Sequence, residues 1–395
     1  MNLRKHQNLL LLVAALALAV GSLVYLGMGL RAGWDEDGRD LQTREREWSV
    51  FKQHIYPNVH LQQPVKAKVH SVYPPWALPL FGFFLGADNL TVARVILQAS
   101  SLLALAVMMW MGWRELAPYG GRSALLGAVM ATAIAGNYTA LRWGQFSILC
   151  SGLLAGQVMA MQQGRPVLAG LCWSMAMLKP QIALPFALMF LLHRQWRSLI
   201  VGWGILTLLS AIAFGWTRVS PLDYVLQAVG GENFRWVRTA KHAGVSTLWI
   251  EWLNLNPRWA MAFGLAILIL ISAILLVRGH HFRLSTLSLA GVCAVLGHVL
   301  FYHRRYDDPM LYPLILAMTV RLHAGGWAIT DGVIATFLGL TLLPPLPTSL
   351  VSQGGWLSLL VLAAPVVAAA RLCMPLPHAL PTLIHAPDPS HAEAP

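Results

Sequence analysis

The stretch GWDEDGRDLQTREREWSVFKQHIYPN, residues 33–58, is a polar interruption in a chain that is otherwise mostly apolar. It separates a first apolar run from all the later ones. The segment from residue 33 to residue 73 contains six of the sixteen acidic residues of the chain, namely Asp35, Glu36, Asp37, Asp40, Glu45 and Glu47. A solvated connecting loop and a functional surface beside a membrane are the two interpretations. The remaining polar motifs decide between them.

The composition around this stretch is typical of a helical membrane protein. Of the 395 residues, 57% are hydrophobic and only 11% are charged, whereas about 25% of residues are charged in soluble globular domains. Runs of about 20 apolar residues are long enough to cross a bilayer as helices. We therefore predict an all-α fold, a polytopic bundle of transmembrane helices.

About twelve apolar stretches are predicted to form the spans, some of them shorter than a full crossing. They lie at about residues 8–30, 90–112, 122–140, 145–161, 166–178, 180–193, 197–215, 258–278, 284–302, 308–322, 326–343 and 355–371. The pair around Lys179-Pro180 is split there, because proline lacks the backbone donor that a helix needs. Residues 73–85 open with Pro74-Pro75 and are too short to cross, so we expect an interfacial helix in the first outside loop.

The basic residues indicate an orientation. The net charge is +12, but the lysines and arginines occur singly or in pairs between apolar runs, which argues against nucleic-acid binding. With the N-terminus in the cytoplasm, every cytoplasmic link carries an arginine, as the positive-inside rule requires. We therefore predict that both termini are cytoplasmic and that the acidic segment lies outside.

The domain organisation predicted from the sequence is simple. Residues 1–373 form a single membrane domain without internal repeats, and residues 374–395 form a disordered tail rich in proline, alanine and histidine. The four cysteines lie in apolar segments and have no C-x-x-C spacing. We expect neither a disulfide framework nor a metal site.

The predicted outside links collect residues that suit phosphate and hydroxyl chemistry. These residues are Asp37, Asp40, Tyr73, Arg142, Gln145, Lys179, Gln181, His242, His303, Arg304 and Arg305. Arginine and lysine bind phosphate groups, and a carboxylate can act as general base on an attacking hydroxyl. Together at a bilayer edge they favour transfer of a group from a lipid-linked phosphate donor to a hydroxyl.

Each candidate also has a structural explanation. Arg142 beside Trp143 suits an interfacial anchor, and Gln145 suits a helix cap. Arg304 and Arg305 can simply pair with Asp307 and Asp308. An unpaired charge at membrane depth is expensive, so Lys179 in its apolar stretch favours a functional role.

Short motifs recur in one order along the chain and carry a resemblance. They are D-L-x-x-R (40–44), I-Y-P (55–57), Y-P-P (73–75), W-G-Q (143–145), G-R-x-x-x-A-G (164–170), L-K-P-Q (178–181), H-R-x-W-R (193–197) and Y-H-R-R-Y-D-D (302–308). In this order the chain resembles glycosyltransferase family 87 over about residues 8 to 370. The family consists of GT-C type membrane enzymes and includes polyprenol-phosphate-mannose-dependent mannosyltransferases.

The resemblance implies an inverting hexosyltransferase of the bacterial inner membrane. Its donor would be a polyprenyl-phosphate sugar and its acceptor a hydroxyl of a lipid or glycan outside the cytoplasm. The acidic segment leaves a divalent cation possible, but no ligand set has a defined spacing, so we predict no metal and no cofactor. A base is expected in the first outside loop, where Asp40 matches best and Asp37 is the rival. A histidine near a later outside loop is also implied; His303 is the nearest candidate, with His298 and His242 as alternatives.

The choice of Asp40 over Asp37 depends on the local backbone. If a helix begins near residue 40, Asp40 suits its first turn and Arg44 lies one turn further on. Asp37 precedes Gly38, which favours a mobile backbone. The alternative function is a multi-pass transporter or flippase, which would place charges near the bilayer midplane and often show two related halves.

Overall fold

The chain forms helices wherever its apolar runs and proline breaks predict them. In the computed structural model, residues 3–35, 38–57, 73–230, 249, 253–278, 284–301, 303–325, 328–342 and 356–374 are described. Every regular element in these ranges is a helix, which confirms the predicted all-α class. Apart from Met374, the predicted tail lies outside the described residues, as do Asp37 and His242.

The helices are named in chain order. The α-helices are α1 (Leu3–Asp35), α2 (Arg39–Lys52), α3 (Ala77–Leu85), α4 (Leu90–Leu116), α5 (Gly121–Ala133), α6 (Gly136–Trp143), α7 (Ser147–Gln162), α8 (Pro166–Ala176), α9 (Pro180–Ala183), α10 (Ala187–Leu192), α11 (Trp196–Thr217), α12 (Pro221–Gly230), α13 (Pro257–Arg278), α14 (Thr286–Leu300), α15 (Tyr312–Ala324), α16 (Ile329–Leu342) and α17 (Trp356–Leu372). Short 3-10 helices cover Ala117–Tyr119, Leu184–Phe186 and Arg305–Leu311.

The breaks follow the sequence. Helix α8 ends at Ala176, and α9 begins at Pro180 with the proline at its first position, where the missing backbone donor is tolerated. The predicted short helix after the two prolines is α3, with nine residues. The acidic segment itself contains a helix, α2, as expected for a helical outside loop.

Three helices in the described ranges are long and apolar enough to cross a membrane. They cover Ala15–Asp35, Leu90–Tyr119 and Trp196–Thr217. Helices α5 and α6, bent by 43° at their junction, form a fourth if they are taken as one broken span. The shorter apolar helices, among which the part Ala262–Val277 of α13 is counted, have 10–17 residues, less than the usual length of a full crossing. The count of twelve spans therefore stays a prediction.

Helix α4 is central to the packing. It lies against α5 and α7, while α1 packs on α5 and α6, and α8 lies between α7 and α11. Gly112 of α4 and Gly127 of α5 allow the closest approach, because a Cβ atom on Gly127 would come within 2.4 Å of the Gly112 carbonyl oxygen. The Tyr312 hydroxyl donates a 2.8 Å hydrogen bond to the Gly127 carbonyl and fixes α15 to the same junction.

This packing brings the polar segments of the chain together. Helix α2 lies against α3, α4 and α6, and the 3-10 helix Arg305–Leu311 packs on α6, α7 and α14. Gly136 at the start of α6 makes the second contact possible, since a Cβ atom there would lie 2.3 Å from the Arg305 carbonyl oxygen. The acidic segment and the segment 303–311 thus both pack against α6.

Candidate active site

The first turn of α2 carries the carboxylate that the sequence singles out. Gly38 has a φ of 51° and adopts the left-handed conformation immediately before the helix begins at Arg39. Asp40 lies in the first turn, where the helix dipole favours a negative charge. Arg44 lies one turn further on, and its Nε donates to the Asp40 carbonyl oxygen at 3.4 Å. A helix thus begins near residue 40, as the preference for Asp40 over Asp37 assumed, and the catalytic role of Asp40 stays a prediction.

The carboxylate of Asp40 is held by Gln145. The amide Nε2 of Gln145 donates a hydrogen bond to Asp40 Oδ2, so Gln145 does not cap α7 with its side chain. Gly144, with a φ of 68°, brings the turn close, because a Cβ atom there would lie 2.9 Å from Leu41 Cβ. Asp40 is half-buried. Its carboxylate is thus oriented by the protein and still accessible to another molecule.

A buried ion pair lies further along the same helix. Arg44 Nη1 is 2.5 Å from Glu47 Oε1, and both side chains are buried. The Arg44 guanidinium lies 4.6 Å from the centroid of the Tyr73 ring. Burial raises the pKa of the Tyr73 phenol above its usual value, so this hydroxyl is protonated and can donate a hydrogen bond. Asp40, Tyr73 and Gln145, three of the predicted site residues, therefore lie around one end of α2.

A second polar cluster joins three distant segments. Lys179 Nζ is 2.8 Å from Asp307 Oδ1 and 2.7 Å from Ser147 Oγ, and Ser147 Oγ donates to Asp307 Oδ1 at 2.6 Å. Lys179 is 3% exposed and Asp307 is fully buried. The backbone N–H of Arg304 donates to Asp307 Oδ2 at 3.2 Å. Asp307 therefore pairs with Lys179, whereas the sequence suggested Arg304 or Arg305 as its partner.

The two clusters are connected through the turn between α6 and α7. Gln145 and Ser147 are two residues apart, so their Cα atoms are separated by at most about 7 Å. Gln145 contacts Asp40, and Ser147 contacts Asp307. The acidic segment, the Lys179-Pro180 break and the segment 303–311 thus meet on one turn.

A third group lies beside the second. The imidazole rings of His298 and His303 have centroids 3.6 Å apart, and His298 Nε2 is 3.5 Å from Asp308 Oδ1. Potential ligand atoms of the three residues all lie within 4.8 Å of one another, so they could hold a metal ion. Burial lowers the pKa of His303 to about 3. The sequence predicted His303 and His298 only as alternatives and missed that they meet Asp308, because the three residues lie on a helix end, a link and a 3-10 helix.

The remaining predicted residues occupy different positions. Arg142 is half-buried in the last turn of α6, and Arg304 and Arg305 are half-buried where the 3-10 helix begins. Gln181 is half-buried in α9. The roles assigned to these residues from the sequence stay predictions.

A comparison with known families places the chain in a chemical context. A family model described as Glycosyltransferase family 87 matches residues 72–302, more than half of the chain. The match includes Tyr73, Arg142, Gln145 and Lys179, whereas Asp40 precedes it and the segment 303–311 follows it. Neither the curated proteins nor the solved structures contain a significant match to this chain.

The buried pair of Lys179 and Asp307 generates a stability prediction. Removing one partner leaves the other charge buried and unpaired, which costs about 3–5 kcal/mol. We expect Lys179→Met and Asp307→Leu each to lower the free energy of unfolding by this amount, and the double variant to lose less than the sum. Unfolding midpoints of the purified protein in detergent measure the effect.

The matched control is Lys52→Met. Lys52 pairs with Asp88, but both side chains are substantially exposed, and exposed pairs contribute about 0–1 kcal/mol. A double variant of Lys179 and Asp307 whose loss equals the sum of the single losses would contradict the interaction.

Proposed function

We propose that this chain, which belongs to glycosyltransferase family 87, transfers a hexose such as mannose from a polyprenyl-phosphate sugar to a hydroxyl group. The acceptor is a lipid or glycan on the extracytoplasmic face, and the transfer inverts the anomeric configuration. The observation that carries the proposal is the half-buried Asp40 carboxylate, oriented by Gln145 at the start of α2.

Asp40 acts as the general base in this proposal. The acceptor hydroxyl gives its proton to the carboxylate as its oxygen attacks the anomeric carbon of the donor. The bond between that carbon and the phosphate oxygen breaks, and its electron pair leaves with the lipid phosphate. Attack opposite the leaving group inverts the centre in one step, without a covalent intermediate on the protein. Gln145 fixes the carboxylate in position, which a general base requires.

The donor phosphate is bound by arginines on α6 and on the 3-10 helix that packs against it. Arg142 lies on α6, and Arg304 and Arg305 begin the 3-10 helix that packs on α6 at Gly136. Planar guanidinium groups bind phosphate oxygens in pairs and stabilise the charge that grows on the leaving group. All three side chains are half-buried, so each has access to solvent or lipid.

Lys179 contributes indirectly in this arrangement. The sequence favoured direct donor binding, but its Nζ is already occupied by Asp307 and Ser147. We assign to Lys179 the role of holding the segment that carries Arg304 and Arg305. Tyr73, Gln181 and His242 keep the substrate-binding role predicted from the sequence, and His303 keeps the predicted catalytic role.

The membrane arrangement is part of the proposal. A GT-C type bundle of about twelve spans, within one domain over residues 1–373, would place the acidic segment outside the bacterial inner membrane and both termini in the cytoplasm. The apolar helices and the positive links support it. A transporter would line a pathway near the midplane with its charges; in the described residues Lys179, Asp307, Arg44 and Glu47 are instead engaged in buried pairs.

Replacing the base tests the reaction. Asparagine at position 40 keeps the shape and can still accept the hydrogen bond from Gln145, but it cannot take a proton. We expect Asp40→Asn to lower kcat by about 10²–10⁴-fold, with Asp37→Asn milder. The measurement is transfer from a panel of radiolabelled polyprenyl-phosphate sugars by the purified protein.

Asp35→Asn is the matched control for this experiment. Its side chain is exposed and pairs with Arg31 on α1, so its activity should equal that of the unmodified chain. Full activity of Asp40→Asn would exclude Asp40 as the base. Full activity of the Asp37 variant as well would remove the acidic segment from catalysis.

Donor binding is tested at Arg142. Losing a charge-assisted contact to the phosphate costs about 1.5–3 kcal/mol. Arg142→Gln should therefore raise the KM for the donor by about tenfold to a hundredfold. The KM for the acceptor should stay within about twofold. Arg114→Gln, at the other end of the predicted bundle, is the control, and equal kinetics of the two variants would assign Arg142 to membrane anchoring.

Cysteine labelling tests the orientation. Ala87 precedes α4 on the predicted outside, Gln163 follows α7 on the predicted inside, and both are exposed. In intact cells a membrane-impermeant maleimide should label Ala87→Cys, and it should label Gln163→Cys only after permeabilisation. The chain without introduced cysteines gives the background. The reverse pattern would place the acidic segment in the cytoplasm and contradict the proposed site.

A further inference from the structure

We propose that His298, His303 and Asp308 bind one divalent transition-metal ion of the zinc class. His298 lies in the last turn of α14, Asp308 lies in the 3-10 helix Arg305–Leu311, and His303 lies between the two elements. The sequence predicts no metal, because its histidines and cysteines show no familiar ligand spacing. The ligand set forms only because α14 packs against the 3-10 helix Arg305–Leu311.

The distances suit a metal centre. Zinc is bound by imidazole nitrogen and carboxylate oxygen at about 2.0–2.2 Å, so neighbouring ligand atoms of a tetrahedral site lie about 3.3 Å apart. His298 Nε2 and Asp308 Oδ1 are 3.5 Å apart. All three ligand atoms fall within 4.8 Å of one another.

The burial of the two imidazoles supplies an independent argument. His298 is 1% exposed and His303 is 2% exposed. The Nδ1 atom of His303 is buried and has no hydrogen-bond partner among the described residues, although buried polar atoms are nearly always satisfied. His298 would use its Nε2 atom, which faces Asp308. Two rings with centroids 3.6 Å apart repel each other strongly if both are protonated. Neutral, paired imidazoles are the form in which histidine binds metals.

The donor set selects the class of ion. Two nitrogen ligands and one carboxylate favour zinc and other first-row divalent metals, whereas magnesium and calcium prefer sites made entirely of oxygen. The neighbouring Asp307 is not available as a fourth ligand, since Lys179, Ser147 and the Arg304 N–H already occupy its oxygens. A site with three protein ligands keeps a position open for water or a substrate oxygen.

Local packing holds the three residues together without the ion. Gly297 lets the 3-10 helix approach α14, because a Cβ atom there would lie 2.7 Å from Met310 Cε. The Asp307 carboxylate anchors the same 3-10 helix through Lys179. The Asp308 side chain is 12% exposed, so the group is not completely enclosed by protein.

Cobalt titration tests the proposal without depending on enzyme activity. The tag-free full chain is stripped with chelator in detergent and titrated with Co²⁺, whose visible d–d absorption reports ligand number and geometry. We expect an absorption band that saturates at one equivalent per chain and is displaced by Zn²⁺. His303→Gln and Asp308→Asn should each weaken binding at least about tenfold to a hundredfold, the loss found even for outer-shell partners of a metal.

Two controls separate this site from other histidines. His323→Gln removes a histidine that bonds to Ser123 and to the Thr319 carbonyl, and it should bind cobalt like the unmodified chain. A variant with all three tail histidines, His378, His385 and His391, changed to glutamine should do so as well.

The proposal is overturned if the unmodified chain shows no d–d band at one equivalent. It is also overturned if binding is unchanged in both His303→Gln and Asp308→Asn, or is lost only with the tail histidines. Should one ligand variant fail to fold, the other variant and the unmodified chain still decide. Because the readout is metal binding, its failure leaves the transfer activity to be judged by Asp40.

Discussion

The buried ion pair between Lys179 and Asp307 is the constraint on which the candidate site depends. A charge moved from water into an apolar interior loses several kcal/mol of solvation unless it is paired and hydrogen-bonded. Lys179 has a carboxylate and a hydroxyl as partners, and Asp307 accepts three hydrogen bonds. Satisfying both groups requires the break before Pro180, the start of α7 and the segment after α14 to meet at one point.

The turn between α6 and α7 connects the Lys179–Asp307 pair to the candidate base Asp40. Gln145 and Ser147 contact the polar clusters at Asp40 and Asp307, while Phe146 between them is fully buried. The Phe146 ring packs against Phe81 at 5.8 Å between centroids, with further aromatic contacts to α3. The aromatic packing fixes the turn, so the polar side chains on either side of Phe146 are held by the same contacts that bury α3.

The sequence could predict features that depend on local rules. The apolar runs predict the helices, and Pro180 predicts the break after α8. A helix start near residue 40 places Asp40 in a first turn, which is where α2 has it. The pairing of Lys179 with Asp307 joins residues 128 positions apart, and no local pattern specifies it. The Arg44–Glu47 pair points inward with Leu41 and Phe51, although its charges alone indicate a solvated face. His303 and His298 were predicted only as alternatives to one another, because their meeting with Asp308 depends on the packing of α14 against the 3-10 helix Arg305–Leu311.

Asp307, Glu47 and Asp40 differ in how many of their carboxylate lone pairs the protein already engages. Asp307 is fully buried and accepts from three donors, so most of its lone pairs are already engaged by the protein. Glu47 is buried against Arg44 in the same way. Asp40 is half-buried, and Gln145 engages its Oδ2, so Oδ1 can face an acceptor hydroxyl. A general base needs a fixed position and an open lone pair together, and Asp40 combines them because the ion pair at Lys179 anchors the turn that carries Gln145.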